Sequence, residues 1–203
     1  MNVSTFALLA AVSALGVSSA YAKPAIGQPA PDFTVVDANG QSHSLADFKG
    51  KTVVLEWNNP ECPFVKKHYG AGNMQKQQAD ATAKGVVWLS VNSSAPGKQG
   101  NLDGAGANAQ LAKSGAKPTA YLLDADGKVG HAYGARTTPH MFVIDGQGML
   151  QYMGAIDSVP SADSEDIPGA TQYVTQALSE MGAGKAVSVS VSEPYGCSVK
   201  YGS

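Results

Sequence analysis

Thr52-Val53-Val54-Leu55-Glu56-Trp57-Asn58-Asn59-Pro60-Glu61-Cys62-Pro63-Phe64-Val65-Lys66 decides how this chain reads, because an apolar strand stops inside it and a helix begins. Residues 52–57 are β-branched or apolar apart from Glu56, the pattern of a buried strand. Pro63 suits the first position of a helix, where a missing N–H costs nothing. That places Cys62 at the helix N-cap. A thiolate there sits at the positive end of the helix dipole with Lys66, Lys67 and His68 one to two turns on, so its pKa is expected to be lowered. A buried, inert structural cysteine is the competing reading. Glu56 alternates with Val54 on one strand face, so it is either a buried acid able to relay protons or a solvent-facing glutamate.

On the N-terminal side, residues 32–37 and 41–44 flank Ala38-Asn39-Gly40, whose Asn-Gly pair predicts a hairpin. Ser44 can cap a short helical turn through Phe48, ended by Gly50. On the C-terminal side, Gly70 and Gly72 predict a broken helix, with Asn73 capping a second segment as far as Lys84. Residues 86–91 read as the next buried strand. The polar, Gly-rich segment 92–106 is long enough for a lid. A helix at 107–114, a strand at 118–124, a short helix at 129–133 and a strand at 141–144 follow. Asp145-Gly146-Gln147-Gly148 turns the chain into a partner strand at 149–155, and Val174, Leu178 and Met181 mark a last helix within 167–181. Strands alternating with helices and closed by a hairpin imply a three-layer α/β fold: a central mixed β-sheet with helices on both faces.

The 203 residues, 43% hydrophobic and with a net charge of −2, suit one globular domain, and nothing is basic enough to imply nucleic acid. Residues 6–17 form an apolar run too short to span a bilayer, and it ends in Ala20-Tyr21-Ala22, a small-x-small cleavage pattern. No Lys or Arg precedes that run, which leaves a short membrane anchor as the alternative reading. The expected organisation is a signal peptide at 1–22, a domain at 23–185 and an extended tail at 186–203, in a periplasmic or secreted protein without stable membrane insertion. In an oxidising compartment Cys62 and Cys197 pair with each other or between molecules. Val187, Val189 and Val191 alternate with serines, so the tail can lie on the body and carry Cys197 toward it.

Gly27-x-x-Ala30-Pro31-Asp32-Phe33, Leu45-x-Asp47-Phe48-x-Gly50-Lys51 and Thr138-Pro139-x-x-Phe142-Val143-Ile144-Asp145 occur in the order found in the redoxin, or AhpC/TSA, branch of the thioredoxin superfamily. The chain resembles that branch over roughly residues 24–182. Cys62-Pro63-Phe64-Val65-Lys66 and Gly196-Cys197-Ser198-Val199-Lys200 are similar to a narrower group that carries both motifs. The resemblance implies a thioredoxin-like fold and a cis-proline at Pro139. It also places an extended substrate against Thr138, with Pro63 beside it, and a buried acid at Glu56. Two departures matter. Val65 stands where thioredoxins have a second cysteine, and Asn59 stands where peroxiredoxins have Thr or Ser; the peroxiredoxin arginine before the final hairpin strand is replaced by Pro139, with Arg136 nearby.

Four functions follow as expectations. The first is thiol-disulfide exchange with Cys62 as nucleophile, Cys197 as resolving cysteine and Glu56 assisting, acting on a protein or small-molecule disulfide and supplied by a thiol electron donor. Its only redox group would be the disulfide, with no separate cofactor. The second is a thiol peroxidase, in which peroxide oxidises Cys62 and Cys197 resolves the sulfenic acid. The third is a binding module stapled by a structural disulfide. The fourth is a metal carrier through Cys62, Cys197, His68 and His140, disfavoured because no close Cys or His pair has ligand spacing. His140 otherwise reads as a polar surface histidine.

Overall fold

A computed structural model describes residues 23–202, so the expected signal peptide lies outside the described residues. Strand β3 (Val53–Trp57) is buried along its whole length and is the middle of a five-stranded sheet. It runs parallel to β4 (Val87–Asn92) and antiparallel to β7 (His140–Ile144). Beyond β4 lies β5 (Ala120–Leu123), and beyond β7 lies β8 (Leu150–Gly154).

The period of two along β3 builds both cores. Val53, Leu55 and Trp57 point to one face, where Leu89, Val91, Leu122, Phe142 and Ile144 join them. Helix α4 (Lys128–Tyr133) covers that face through Val129, Ala132 and Tyr133. Val54 points to the other face with Trp88, Met141, Val143 and Tyr152, under Met74 of helix α2 (Asn73–Thr82) and Val174 of helix α5 (Tyr173–Gly182). This is the expected three-layer arrangement. The N-terminal hairpin is also present, with β1 (Thr34–Val36) antiparallel to β2 (Ser42–Ser44).

Several boundaries differ from the sequence reading for identifiable reasons. Gly72, in the left-handed region at φ 72°, caps α2, which leaves the Asn73 side chain free to bind His68 and Gln172. Pro168 confines residues 164–169 to a 3-10 turn, so the last helix starts only at Tyr173. Helix α3 (Gly104–Ser114) begins earlier than expected because the Asp103 carboxylate accepts from the Gly106 N–H. The segment read as a lid is pinned: the Asn92 amide donates to the Gly100 carbonyl, Asn101 to the Ser94 carbonyl, and residues 92–95 are buried.

Candidate active site

The chain leaves β3 at Trp57 and turns through Asn59, whose carbonyl accepts from the Cys62 N–H and whose side chain accepts from the Glu61 N–H. Helix α1 (Pro63–Gly70) then starts with Pro63 in its first turn and Cys62 as N-cap, as the sequence predicts. Across the site, the Thr138–Pro139 bond is cis, and β6 (Thr137–Thr138) presents its backbone toward the thiol. Cys62 Sγ lies 3.1 Å from the Thr138 carbonyl oxygen.

The tail completes the site. Strand β9 (Cys197–Ser198) pairs antiparallel with β6, with Thr138 opposite Cys197. Cys197 Sγ comes within 2.7 Å of Cys62 Sγ, both thiols being free. Two tyrosines anchor the ends of this strap. The Tyr195 hydroxyl donates to Asp157, and its ring meets Phe64 edge-on. Tyr201 stacks on His131 with ring centroids 4.1 Å apart, and its hydroxyl donates to the Ala135 carbonyl. Between the anchors, the Val199 N–H donates to the Arg136 carbonyl and the Ala95 N–H to that of Lys200. The expected alternation of Val187, Val189 and Val191 is only partly used: Val191 is 52% exposed, and the segment is held by the Met153 N–H donating to Ser190 instead.

Electrostatics separate the two sulfurs. Burial opposes ionisation of Cys62, whose exposure is 0%, but hydrogen bonds from the Cys197 thiol, the Thr138 side chain and the Val65 backbone N–H outweigh it and hold the thiol below its usual range. Cys197 is pushed up to about 11 by burial, by its hydrogen bond to Cys62 and by the neighbouring charge. The lowering at Cys62 is as expected, and the Val65 N–H at the helix N-terminus contributes to it as expected, but the cations of α1 do not. Lys67 and His68 turn inward to a buried cluster instead. Lys67 Nζ is 3.7 Å and His68 Nε2 3.8 Å from Asp157 Oδ2, an oxygen without a hydrogen-bond partner among the described residues. Burial, with the Lys67 charge, lowers His68 to about 4 against the pull of Asp157. Sequence held no signal that Asp157 belongs near the thiol, since it lies in no recognisable motif, whereas Tyr195 could have been found from its place two residues before Cys197.

Glu56 is fully buried, on the same sheet face as Val54. Its Oε1 accepts from Asn58 and Tyr69, and its Oε2 from Gln78, Trp88 and Ser90. Neither cysteine is among these partners. His140 overturns the surface reading: it is 5% exposed, packs on Phe142 and accepts the Arg136 N–H through Nδ1. The cause is its place at the start of central strand β7, opposite Trp57. Burial and the nearby Arg136 charge lower it to about 3. Among the described residues no group of three or more His, Cys, Asp or Glu side chains is placed to hold a metal ion.

The AhpC/TSA family profile matches residues 26–153. The chain belongs to the AhpC/TSA family. It is 31% identical over 134 residues to the thiol-disulfide oxidoreductase ResA of Geobacillus thermodenitrificans, covering 63% of this chain and 67% of that one. Among solved structures it is similar to a hypothetical protein of Sinorhizobium meliloti, at 26% identity, a TM-score of 0.70, and coverage of 90% of this chain and 97% of that one. It is also similar to a putative thiol:disulfide interchange protein DsbE of Chlorobium tepidum, at 26% identity and a TM-score of 0.53, over 64% and 85% of the chains. The fold is thioredoxin-like.

Proposed function

We propose that this redoxin is a thiol-disulfide oxidoreductase in which Cys62 and Cys197 form the redox-active pair. The observation that carries the reading is the 2.7 Å approach of the two sulfurs beside Thr138 and the cis-proline. The naming of the ResA and DsbE relatives as exchange proteins supports it. In the reducing direction, the Cys62 thiolate attacks one sulfur of a substrate disulfide, forming a mixed disulfide and releasing the first substrate thiolate. Cys197, deprotonated as it reacts, then attacks the Cys62 sulfur and expels the second thiolate, which takes up the proton. Two electrons pass to the substrate, and the Cys62–Cys197 disulfide remains. Because Cys62 is covered, the substrate half-reaction requires the strap between Tyr195 and Tyr201 to lift. Thr138 and Pro139 then offer an extended substrate the backbone edge that Cys197 had occupied, with exposed Pro63 flanking it.

Glu56 supports the site by fastening β3 to α1 through Tyr69, to α2 through Gln78 and to β4 through Trp88 and Ser90, with Asn58 as the fifth donor; a relay role would need a further link, since neither cysteine is among these partners. We place the reaction outside the cytoplasm on the leader-like residues 1–22; no described helix is long and apolar enough to cross a membrane. Peroxidase chemistry is the weaker reading. The Asn59 amide is turned to the Gln99 carbonyl, and the exposed Arg136 guanidinium pairs with Glu193, so neither stands in for the groups that activate a peroxide.

The test is a redox titration in glutathione buffers, with thiol alkylation and mass analysis. An internal Cys62–Cys197 bond with a potential well above about −300 mV, a value typical of structural disulfides, is expected. A bond that resists reduction leaves a stapled binding module. Rapid single-turnover loss of hydrogen peroxide, abolished by Cys62→Ser, would promote the peroxidase.

A further inference from the structure

The two sulfurs differ in what can reach them, and the difference is greatest in the oxidised protein. Cys62 has no exposed surface: it lies under the strap and against Thr138. Cys197, on a short strand at the surface, keeps part of its area in solvent, and its neighbour Ser198 is exposed. In the reduced protein the strap can lift and uncover Cys62. Once the disulfide forms, the bond itself ties Cys197 over Cys62, so the cover cannot be removed when the electron donor arrives.

We infer that the thiol donor that re-reduces this protein attacks the sulfur of Cys197, so that substrate and donor meet different cysteines on one site. The inference rests on the exchange reading above. The step balances: a donor thiolate RS⁻ attacks Cys197 Sγ, an R–S–S–Cys197 bond forms, the Cys62–Cys197 bond breaks, and Cys62 leaves as the thiolate. A second donor thiol, or the second thiol of a dithiol donor, then attacks the sulfur of R. It releases Cys197, which takes up a proton, and the donor departs as its disulfide. Two electrons enter the protein.

The leaving groups favour the same order. Exchange is faster when the expelled thiol has the lower pKa; attack at Cys197 expels Cys62, held below its usual range, whereas attack at Cys62 expels Cys197, pushed up to about 11. The surroundings of the entry sulfur name a donor chemistry. The β6 edge is already paired with Cys197 and Ser198, so an incoming chain cannot add there as a strand while the bond is intact. Lys200, whose ammonium reaches the Ser198 hydroxyl at 3.2 Å, adds a positive charge beside Cys197. That combination suits a thiolate of low molecular weight or one carried on a protruding loop.

The experiment mixes purified, fully oxidised protein with excess glutathione, quenches with acid within milliseconds to seconds, and maps the glutathione adduct by peptide mass analysis. An adduct on Cys197, with Cys62 free, in at least tenfold excess over the converse is expected. Adducts mainly on Cys62, or divided evenly, overturn this inference and leave the exchange reading standing. A disulfide that neither glutathione nor dithiothreitol reduces overturns the exchange reading itself, and this inference with it. Gly196→Ala, which loosens the strap, provides a second measurement: the preference for Cys197 should narrow in that variant, and an unchanged ratio means that cover by the strap does not set it.

Discussion

Gly196→Ala tests the strap most directly. Gly196 has φ +136°, a conformation L-residues rarely adopt, and an added Cβ would lie 2.1 Å from the Thr138 carbonyl oxygen and 2.8 Å from its carbon. Ordinary C···O approaches run to about 3.3 Å or more, so the strap or β6 has to give way. Neither neighbour is a flexible side chain, and the same carbonyl lies against Cys62. The backbone conformation alone costs about 1–3 kcal/mol, and each strap hydrogen bond lost adds about 1 kcal/mol. A total of about 2–4 kcal/mol against the docked strap corresponds to a drop of about 30- to 700-fold in the equilibrium constant for docking the strap, at about 1.4 kcal/mol per tenfold. The assay is the rate of Cys62–Cys197 closure from the mixed disulfide with glutathione, by alkylation and mass analysis. Gly115→Ala is the control: Gly115 has φ +69° with open space around it, at the end of α3, so its substitution costs stability without touching the strap. Closure of Gly196→Ala at the wild-type rate would falsify the claim that the backbone contact at Thr138 positions Cys197.

Other substitutions separate the remaining roles. Asp157→Ala leaves buried Lys67 without its counter-charge and should lower stability by about 3–5 kcal/mol, whereas Tyr195→Phe removes one hydrogen bond to a carboxylate, about 1.5–3 kcal/mol; urea unfolding of both variants ranks them, and equal losses contradict the ion-pair argument. Glu56→Gln sets an amide N–H₂ against groups that all donate, so a clear fall in melting temperature is expected with closure kinetics little changed; slower exchange at undiminished stability would point to a proton relay. The buried histidines fix an acid limb. His68 and His140 are held to about 4 and about 3, below the unfolded value of about 6.5. The unfolded chain therefore binds more protons, and the stability from keeping each ring neutral is full above pH 6.5 and falls by roughly 1.4 kcal/mol per pH unit below it. His140→Gln should flatten the stability curve between pH 6.5 and 4, and an unaltered slope excludes that histidine as the source.

The architecture was legible because burial periodicity is local. Residues 52–57 and 86–91 carry their apolar pattern in consecutive positions, and Pro63 marks a helix start wherever it occurs. Cys62 at the N-cap is a reading of the same kind. Lys67 and His68 were visible as cations near a thiol, yet a helix turns successive side chains by about 100°, and only the packing of α1 on the Asp157 loop decides that these two point inward. His140 carries no local sign of burial, because its neighbours in space come from β3 and Arg136.

By itself the sequence determined the order of strands and helices, the place of Cys62 at a strand-to-helix turn, and a second cysteine on a segment able to lie against the body. Those features depend on residues adjacent in the chain. The tertiary structure alone decided that Cys197 pairs with Thr138 and covers Cys62, 135 residues away, through anchors at Tyr195 and Tyr201. Such contacts join segments whose separation leaves no periodic trace, and their hydrogen bonds exist only once the sheet has placed β6 beside the thiol.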